Sequence, residues 1–335
     1  MYKKYFKNQT VCVTGGAGFI GSHLVKELSG YGCKIIIIDN LSTGRLNNIK
    51  EFLKDKNIKF IKKDLSKIKN LKTILNKTDY IFHLAALADI VPSIENPEKY
   101  FQSNVVSTFN LLNNLNINKF KKFIYIASST CYGIPKKYPT KENEKINTKY
   151  PYALTKNIGE ELVTHWSDIY KLKAITLRLF NVYGTKSRTS GTYGAVFGVF
   201  LAQKIKNFPL TVVGNGNQLR DFTYVTDVVN AILIAAKSKK TNQIYNIASG
   251  KPKSVNEIVK LLDHNKINIK KRPGEPDVTW ANINKAKKDL NWKPKISFEK
   301  GVKILLKNID YWKNAPVWTK SKITKATKNW FKYLK

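Results

Sequence analysis

The stretch Val11-Cys12-Val13-Thr14-Gly15-Gly16-Ala17-Gly18-Phe19-Ile20-Gly21 constrains this chain more than any other. An apolar, β-branched run leads into three spaced glycines, and a helical pattern follows. Each glycine has a separate task. Gly15 permits the tight turn, Gly18 lets backbone approach a pyrophosphate at a helix N-terminus, and Gly21 lets helix and sheet pack closely. Glycine triplets alone are common in turns. Here the context is complete, because an acid, Asp39, ends the next apolar run, Ile35-Ile36-Ile37-Ile38. An Asp there accepts hydrogen bonds from the adenosine ribose hydroxyls of a dinucleotide and repels a 2′-phosphate. That favours NAD over NADP, although Arg45 nearby keeps the alternative open. Asp64, after Phe60-Ile61-Lys62-Lys63, is either a contact for the adenine or an exposed loop acid.

Short apolar runs at 10–14, 34–38, 58–61, 80–83, 123–127 and 174–179 alternate with helical-period segments at about 18–30, 45–54, 67–76, 93–116 and 151–170. Runs this continuously apolar predict strands buried on both faces. The alternation predicts an α/β fold, a Rossmann-type doubly wound parallel sheet with right-handed crossovers. Beyond about Asn181 the rhythm changes to shorter helices and to loops rich in Gly, Asn and Pro at 184–194, 214–221 and 272–277. The expected division is therefore a dinucleotide-binding domain at 1–180 and a smaller α/β substrate domain at 181–335, with some exchange of chain between them. Loops of the second should face the end of the sheet. Within 315–335, Ile323, Thr327, Trp330, Phe331 and Leu334 share one helical face, which predicts docking onto the body of the protein.

At 335 residues the chain can bury a large core. Its formal net charge of +36 invites a polyanion partner. The lysines are spread from end to end without a nucleic-acid motif, so they read as solvated faces and no nucleic acid is expected. Arginine is more informative. It stands only at Arg45, Arg178, Arg188, Arg220 and Arg272. Where Lys fills nearly every basic position, a retained Arg suggests a need for its flat bidentate fork, as in phosphate recognition. No apolar run approaches the roughly 20 residues of a membrane span, and the first is too short for a signal peptide. Cys12, Cys33 and Cys131 have no CxxC spacing. They read as reduced thiols in a cytoplasmic protein with no zinc site. His23, His83, His165 and His264 do not cluster, so no metal is expected.

Tyr152-Ala153-Leu154-Thr155-Lys156 puts a phenol and an ammonium on one face of a helix. A free phenol has a pKa of about 10, too high for a base at neutral pH. A neighbouring cation and a positive nicotinamide ring both favour phenolate. Ser128-Ser129-Thr130 follows a strand that should end beside the nicotinamide, and adds a hydroxyl for the same reacting oxygen.

With these motifs in view, the chain resembles the extended short-chain dehydrogenases/reductases, specifically the NAD-dependent sugar-nucleotide epimerase/dehydratase group of the UDP-glucose 4-epimerase type. The resemblance runs from about Thr10 to Trp292. Its further motifs are His83-Leu84-Ala85-Ala86, Arg178-Leu179-Phe180-Asn181-Val182-Tyr183-Gly184, Arg220-Asp221-Phe222 and Arg272-Pro273-Gly274. The resemblance implies Tyr152 as base, Lys156 as the residue that binds the nicotinamide ribose and tunes Tyr152, and Ser128 as the holder of the sugar hydroxyl. It implies a cofactor site built from Gly15, Gly18, Phe19, Ile20, Gly21, Asp39, Asn40, Asp64, Leu65, Leu84, Ala85 and Ala86, with Tyr152 and Lys156. Asn104 would support this polar network. Ser129, Thr130, Asn181 and Thr279 would face the sugar and phosphates, and Arg220 and Arg272 would hold the diphosphate. Arg178 reads as structural, and Arg188 as either a substrate ligand or structural. The helices at about 93–116 and 151–170 imply a homodimer, and a UDP-sugar is the implied substrate.

In this group a common step removes the C4 hydroxyl proton and passes the C4 hydride to NAD. The 4,6-dehydratases follow the catalytic hydroxyl residue with Asp-Glu, and the decarboxylases generally keep the Glu. Here Ser129 and Thr130 stand at those positions, so elimination lacks its acid–base pair. That favours 4-epimerisation, in which the hydride returns to the opposite face of the sugar. Dehydration and decarboxylation are the rivals of the same fold, and a silent NAD-binding scaffold is the rival of another class. The Asn usual in galactose-type epimerases falls near Val196 and is missing. Thr279 stands where that subgroup gates the sugar's 2-position, and its small size leaves room for a 2-acetamido group. Val91, where glucuronate epimerases often carry Arg, disfavours a uronate.

Overall fold

The computed structural model describes residues 2–187 and 194–334. Its centre is a seven-stranded sheet of Thr10–Thr14 (β1), Lys34–Asp39 (β2), Ile58–Lys62 (β3), Tyr80–His83 (β4), Lys122–Ser128 (β5), Ala174–Leu179 (β6) and Gln243–Ile247 (β7). The spatial order is β7-β6-β5-β4-β1-β2-β3, and every pairing is parallel. This is the Rossmann-type arrangement that the strand pattern predicts. All residues of β4 and β5 are buried, because helices cover both faces of the sheet. The strand order reverses between β1 and β4, and the crevice at their carboxyl ends is where doubly wound sheets take ligands.

The expected strands and the helices Phe19–Ser29 and Pro151–Ile169 lie where the periodicity predicts them, within a residue or so. Three other helices differ. The expected helix at 45–54 is replaced by two short 3-10 turns, Leu46–Asn48 and Phe52–Lys54. Asn48 turns its side chain to the Ala17 carbonyl at 2.9 Å, and the Arg45 amide donates to the same oxygen at 3.0 Å. This segment folds over the glycine loop, held there by these two long-range bonds in place of a helix's own ladder. The expected helix at 67–76 shrinks to Leu71–Leu75. The expected helix at 93–116 starts earlier, at Ile90, and is broken by Pro97, with Asn96 accepting from the Lys99 amide. It then passes through a π-helical turn, Gln102–Val106, before Ser107–Asn113.

Residues beyond 181 build a second core, yet helix Val225–Lys237 and β7 return to the sheet. Short strand pairs, Asn181–Tyr183 with Phe222–Tyr224 and Leu210–Val213 with Lys266–Ile269, frame that core. The segment after 315 docks on it through two short helices, Lys320–Ala326 and Lys328–Tyr333. Ile323, Thr327 and Trp330 are buried, while Phe331 and Leu334 are half-buried. No described helix is long and apolar enough to cross a membrane. Cys12, Cys33 and Cys131 are buried free thiols.

Arg178 ties β6 to helix Pro151–Ile169. Its Nε donates to Glu160 Oε2 at 2.9 Å, and Nη1 donates to the Tyr132 hydroxyl at 2.8 Å and the Glu142 carbonyl at 2.9 Å. Its Nη2 pairs with Glu160 Oε1. Both side chains are almost fully buried, so this arginine is a structural pin. Removing one partner strands the other charge in the interior. Arg178→Ala should therefore cost about 3–5 kcal/mol, read as a lower urea midpoint; an unchanged midpoint would contradict the pin.

Candidate active site

A cleft with two joined compartments opens at the carboxyl ends of the strands. Their volumes, about 330 and 500 Å³, fall in the range of roughly 300–1,000 Å³ usual for small-molecule sites. Ile20, Leu84, Ala86 and Asp89 line both.

The first compartment is walled by Gly15, Gly18, Phe19, Ile20, Gly21, Asp39, Asn40, Asp64, Leu65, Leu84, Ala85 and Ala86. A Cβ on Gly15, whose φ is +68°, would stand 2.8 Å from the Ala85 amide nitrogen, and a Cβ on Gly21 would overlap the Gly15 carbonyl. Only glycine permits this cradle. Asp39 Oδ2 accepts from the Ala17 amide at 3.0 Å and Oδ1 from the Leu41 amide at 2.8 Å. These bonds fix the carboxylate at the end of β2. Burial pushes its pKa up, against those two amides. Burial also opposes ionisation of Asp64, but Ser66, Asn40 and Lys67 outweigh it and hold this carboxyl below its ordinary value. Arg45 does not line the compartment; its guanidinium lies over the Tyr311 ring, 5.7 Å from the centroid. The glycine cradle and the fixed Asp39 fit a dinucleotide.

Ser128, Ser129, Thr130, Tyr152, Lys156, Asn181, Arg220, Arg272 and Thr279 line the second compartment. Pro151 opens the helix Pro151–Ile169, and Tyr152 and Lys156 follow one turn apart on the face toward β5. A Cβ on Gly159 would overlap the Tyr125 hydroxyl, so glycine lets this helix lie close against β5. The Tyr125 hydroxyl donates to the Lys156 carbonyl at 3.1 Å, and Lys156 Nζ sits 4.3 Å from the Tyr125 ring centroid. Ser128 ends β5, its hydroxyl favours the ionised form of the Tyr152 phenol, and it lies 2.9 Å from Thr130 Oγ1.

The electrostatics differ from the sequence expectation. Burial pushes the Tyr152 phenol up to about 12, with Ser128 pulling the other way and Asp89 adding to the rise. Burial pushes the Lys156 ammonium down to about 7, opposed by Glu160. The protein's own groups therefore do not lower the phenol, because desolvation outweighs the pull of Ser128. Any depression has to come with a positive ring brought beside it.

Arg220 and Arg272 meet over one carboxylate. Arg220 Nη2 is 2.9 Å from Glu275 Oε1, and Arg272 Nε is 3.1 Å from Glu275 Oε2. Thr279 Oγ1 donates to Asn181 Oδ1 at 2.9 Å. Arg188 lies outside the described residues. Asn104 is not on the wall. Its amide is consumed by Leu87 N at 2.8 Å, Leu87 O at 3.1 Å and Thr155 Oγ1 at 3.0 Å, so it braces the 84–89 turn from behind. His83 is likewise structural, bonded to Thr14 Oγ1 at 2.7 Å and Thr108 Oγ1 at 2.9 Å. Val91 and Val196 line the second compartment as apolar wall. No group of three or more metal-ligating residues occurs among the described residues.

Sequence reasoning did not place several residues on these walls, Asp89, Glu275, Trp318 and Trp330 among them. Asp89 stands at the junction of the compartments and Glu275 between the arginines. Trp318 reaches the first compartment and Trp330 the second. Glu275 directly follows the Arg272-Pro273-Gly274 motif, so its neighbourhood was visible; Trp330 was read only as part of a docking face, and Asp89 and Trp318 carried no spacing signal.

Residues 12–305 match the profile of the GDP-mannose 4,6 dehydratase family. Among curated proteins, a putative UDP-glucose 4-epimerase of Methanocaldococcus jannaschii is 37% identical over 300 residues, 88% of this chain and 96% of that protein. Among solved structures, a UDP-N-acetylglucosamine 4-epimerase of Methanobrevibacter ruminantium, in complex with UDP-N-acetylmuramic acid, has a TM-score of 0.84 at 33% identity. It covers 90% of this chain and 99% of its own. The UDP-glucuronic acid 4-epimerase of Bacillus cereus, in complex with UDP-glucuronic acid and NAD, has a TM-score of 0.84 at 31% identity, covering 91% and 99%.

The depressed Lys156 has a consequence for stability. An unfolded chain keeps this proton up to about 10.5, whereas the folded one releases it from about 7. Between those values the unfolded state binds more protons, so this group makes stability rise with pH. Lys156→Met should be more stable than the parent at pH 7 by roughly 1–4 kcal/mol, with the gap closing toward the ordinary lysine value. Urea unfolding at stepped pH measures this. A gap that is absent, or that does not change with pH, would contradict the buried-ammonium description.

Proposed function

The chain belongs to the GDP-mannose 4,6-dehydratase family, NAD-dependent extended short-chain dehydrogenases/reductases that act on nucleotide sugars, and on that premise we propose that it is a nucleotide-sugar 4-epimerase. The carrying observation is the second compartment, where a phenol, a serine hydroxyl and a buried lysine converge beside two arginines. In this reading Tyr152 takes the proton of the sugar C4 hydroxyl while Ser128 holds that oxygen. NAD, when bound, would accept the C4 hydride and give it back, so that the C4–H bond is broken and then remade. Lys156 binds the nicotinamide ribose and stabilises phenolate once the site is filled. The 4-keto sugar then turns over in the cavity, and Tyr152 returns the proton to the oxygen of the epimer. Asp39 holds the adenosine ribose, and the glycine cradle takes the pyrophosphate.

Arg220 and Arg272 bind the substrate diphosphate, which replaces Glu275 as their shared anion. Thr279 and Asn181 face the sugar, and the small threonine leaves room for a 2-acetamido group. A UDP-sugar is the favoured substrate, supported by the relatives' ligands. Val91 gives a uronate no cation. Exposed Phe101, Phe109 and Leu154, on the helices expected to pair, support a homodimer. Three unpaired buried thiols suit a reducing, cytoplasmic setting.

Asp89 favours a second reading. Among the described residues it is the wall carboxylate that bears on Tyr152, so it is the group a dehydratase would recruit for elimination. Incubation with UDP-, GDP-, CDP- and dTDP-sugars, including N-acetylhexosamines, with products read by NMR, separates the two. We expect a C4 epimer and nothing else, loss of turnover by at least a thousandfold in Tyr152→Phe (of the order of combined base and orientation effects), and epimerisation retained in Asp89→Asn. A 4-keto-6-deoxy product that disappears in Asp89→Asn would establish the dehydratase instead.

A further inference from the structure

We propose that segment 315–334 is a working wall of the active site, and that Trp330 is a positioning residue that holds Arg272 and its turn for the substrate diphosphate. The inference rests on the reading of the second compartment as the nucleotide-sugar site. The segment lies beyond residue 305, where the family profile ends, so the family match does not account for it.

Trp330 belongs to helix Lys328–Tyr333 and is 2% exposed, yet its ring lines the second compartment. Three contacts tie it to the turn that carries Arg272. The Arg272 guanidinium lies over the indole, 5.4 Å from the ring centroid. The indole Nε1 donates to the Pro273 carbonyl at 2.7 Å. The Tyr150 ring packs against the indole at 5.2 Å between centroids, and the Tyr150 hydroxyl donates to the next carbonyl, Gly274, at 2.8 Å. Tyr150 is the N-cap residue of the catalytic helix. The turn is thus pinned from one side by the helix that carries Tyr152 and from the other by Trp330. Neighbouring residues extend the contact: Lys270 Nζ lies 5.2 Å from the Phe331 ring centroid, and Leu334 stands 4.0 Å from where a Gly274 Cβ would be.

Arginine side chains carry much rotamer freedom, and a ligand that must fix one loses affinity in doing so. A guanidinium held over an indole has much of its rotamer freedom removed before a ligand arrives, and the indole engages its face rather than its N–H groups. Glu275 holds the same group through its Nε in the protein alone. Trp330 keeps the fork in place when a diphosphate takes over from that carboxylate. The same segment reaches the other compartment, where Pro316 and Trp318 form wall and the Trp318 carbonyl accepts from Gln203 Nε2 at 2.6 Å.

The test is calorimetric titration of the NAD-loaded protein with UDP, GDP, CDP and dTDP, continued with whichever binds most tightly. Trp330→Leu keeps apolar bulk without a π face, and Trp330→Phe keeps a π face without the donor. We expect affinity to fall about tenfold in Trp330→Leu and by less than about threefold in Trp330→Phe, with NAD affinity unchanged in both. If Trp330 acts through Arg272, the double variant Trp330→Leu with Arg272→Gln binds no more weakly than Arg272→Gln alone. Parent-like affinity in Trp330→Leu, or losses that multiply in the double variant, would overturn the positioning role. A parent protein that binds none of the four nucleotides would overturn the reading of the site itself, which is a different result.

Discussion

Parallel pairing of β4 between β1 and β5 is the constraint on which the cleft depends. With Val13 opposite Phe82 and Phe82 opposite Ile124, β1 and β4 end level at Thr14 and His83, and β5 runs on past them to Ser128. The glycine turn, the Leu84–Asp89 turn and Ser129-Thr130 follow these three ends and border the cleft. Polar struts hold this edge without entering it. His83 spans from Thr14 on β1 to Thr108 on the neighbouring helix, and burial pushes its imidazole down to about 3, so it bridges as a neutral ring. Asn104 does the same for the turn after β4. The π-helical turn around Asn104 is the local irregularity that lets a helix residue turn its amide to that backbone.

The catalytic helix shows what such an edge costs. Gly159 lets it lie against Tyr125, and this proximity buries Lys156 with an aromatic face beside its ammonium. A charge held there opposes folding, and the Tyr152 phenol is likewise held in its neutral form. The lysine shift runs against stability at neutral pH, whereas the neutral phenol is also the form the unfolded chain holds there; a cationic ring entering the site would favour the phenolate that the protein alone suppresses. The Arg178–Glu160 pin on the back of the same helix keeps it from relaxing away. Function and fold therefore meet on one helix.

Much of this was legible from residue order. Continuous apolar runs located the sheet strands of the first half, since a strand buried on both faces has little room for polar residues. The glycine turn was readable because its three positions have separate steric duties, and Tyr152 and Lys156 because helical spacing puts them together. Rationed arginine singled out Arg220 and Arg272, which the fold brings together at Glu275. What could not be read depends on contacts distant in sequence. Asn48 abandons a helix for the Ala17 carbonyl, which periodicity does not encode. Asp89 gains its importance from the phenol it faces across the cleft, and Trp330 from a turn 57 residues earlier. The rise that burial imposes on the phenol was not foreseen, because a charge partner is visible in sequence and the depth of burial is not.

The central claim is that one phenol serves one sugar carbon on both faces. Its most direct test is the fate of a C4 label. A UDP-hexose deuterated at C4, incubated with the protein to equilibrium, should yield the C4 epimer with deuterium still at C4 and none released to water. Deuterium found at C6, or washed out into solvent, would contradict it.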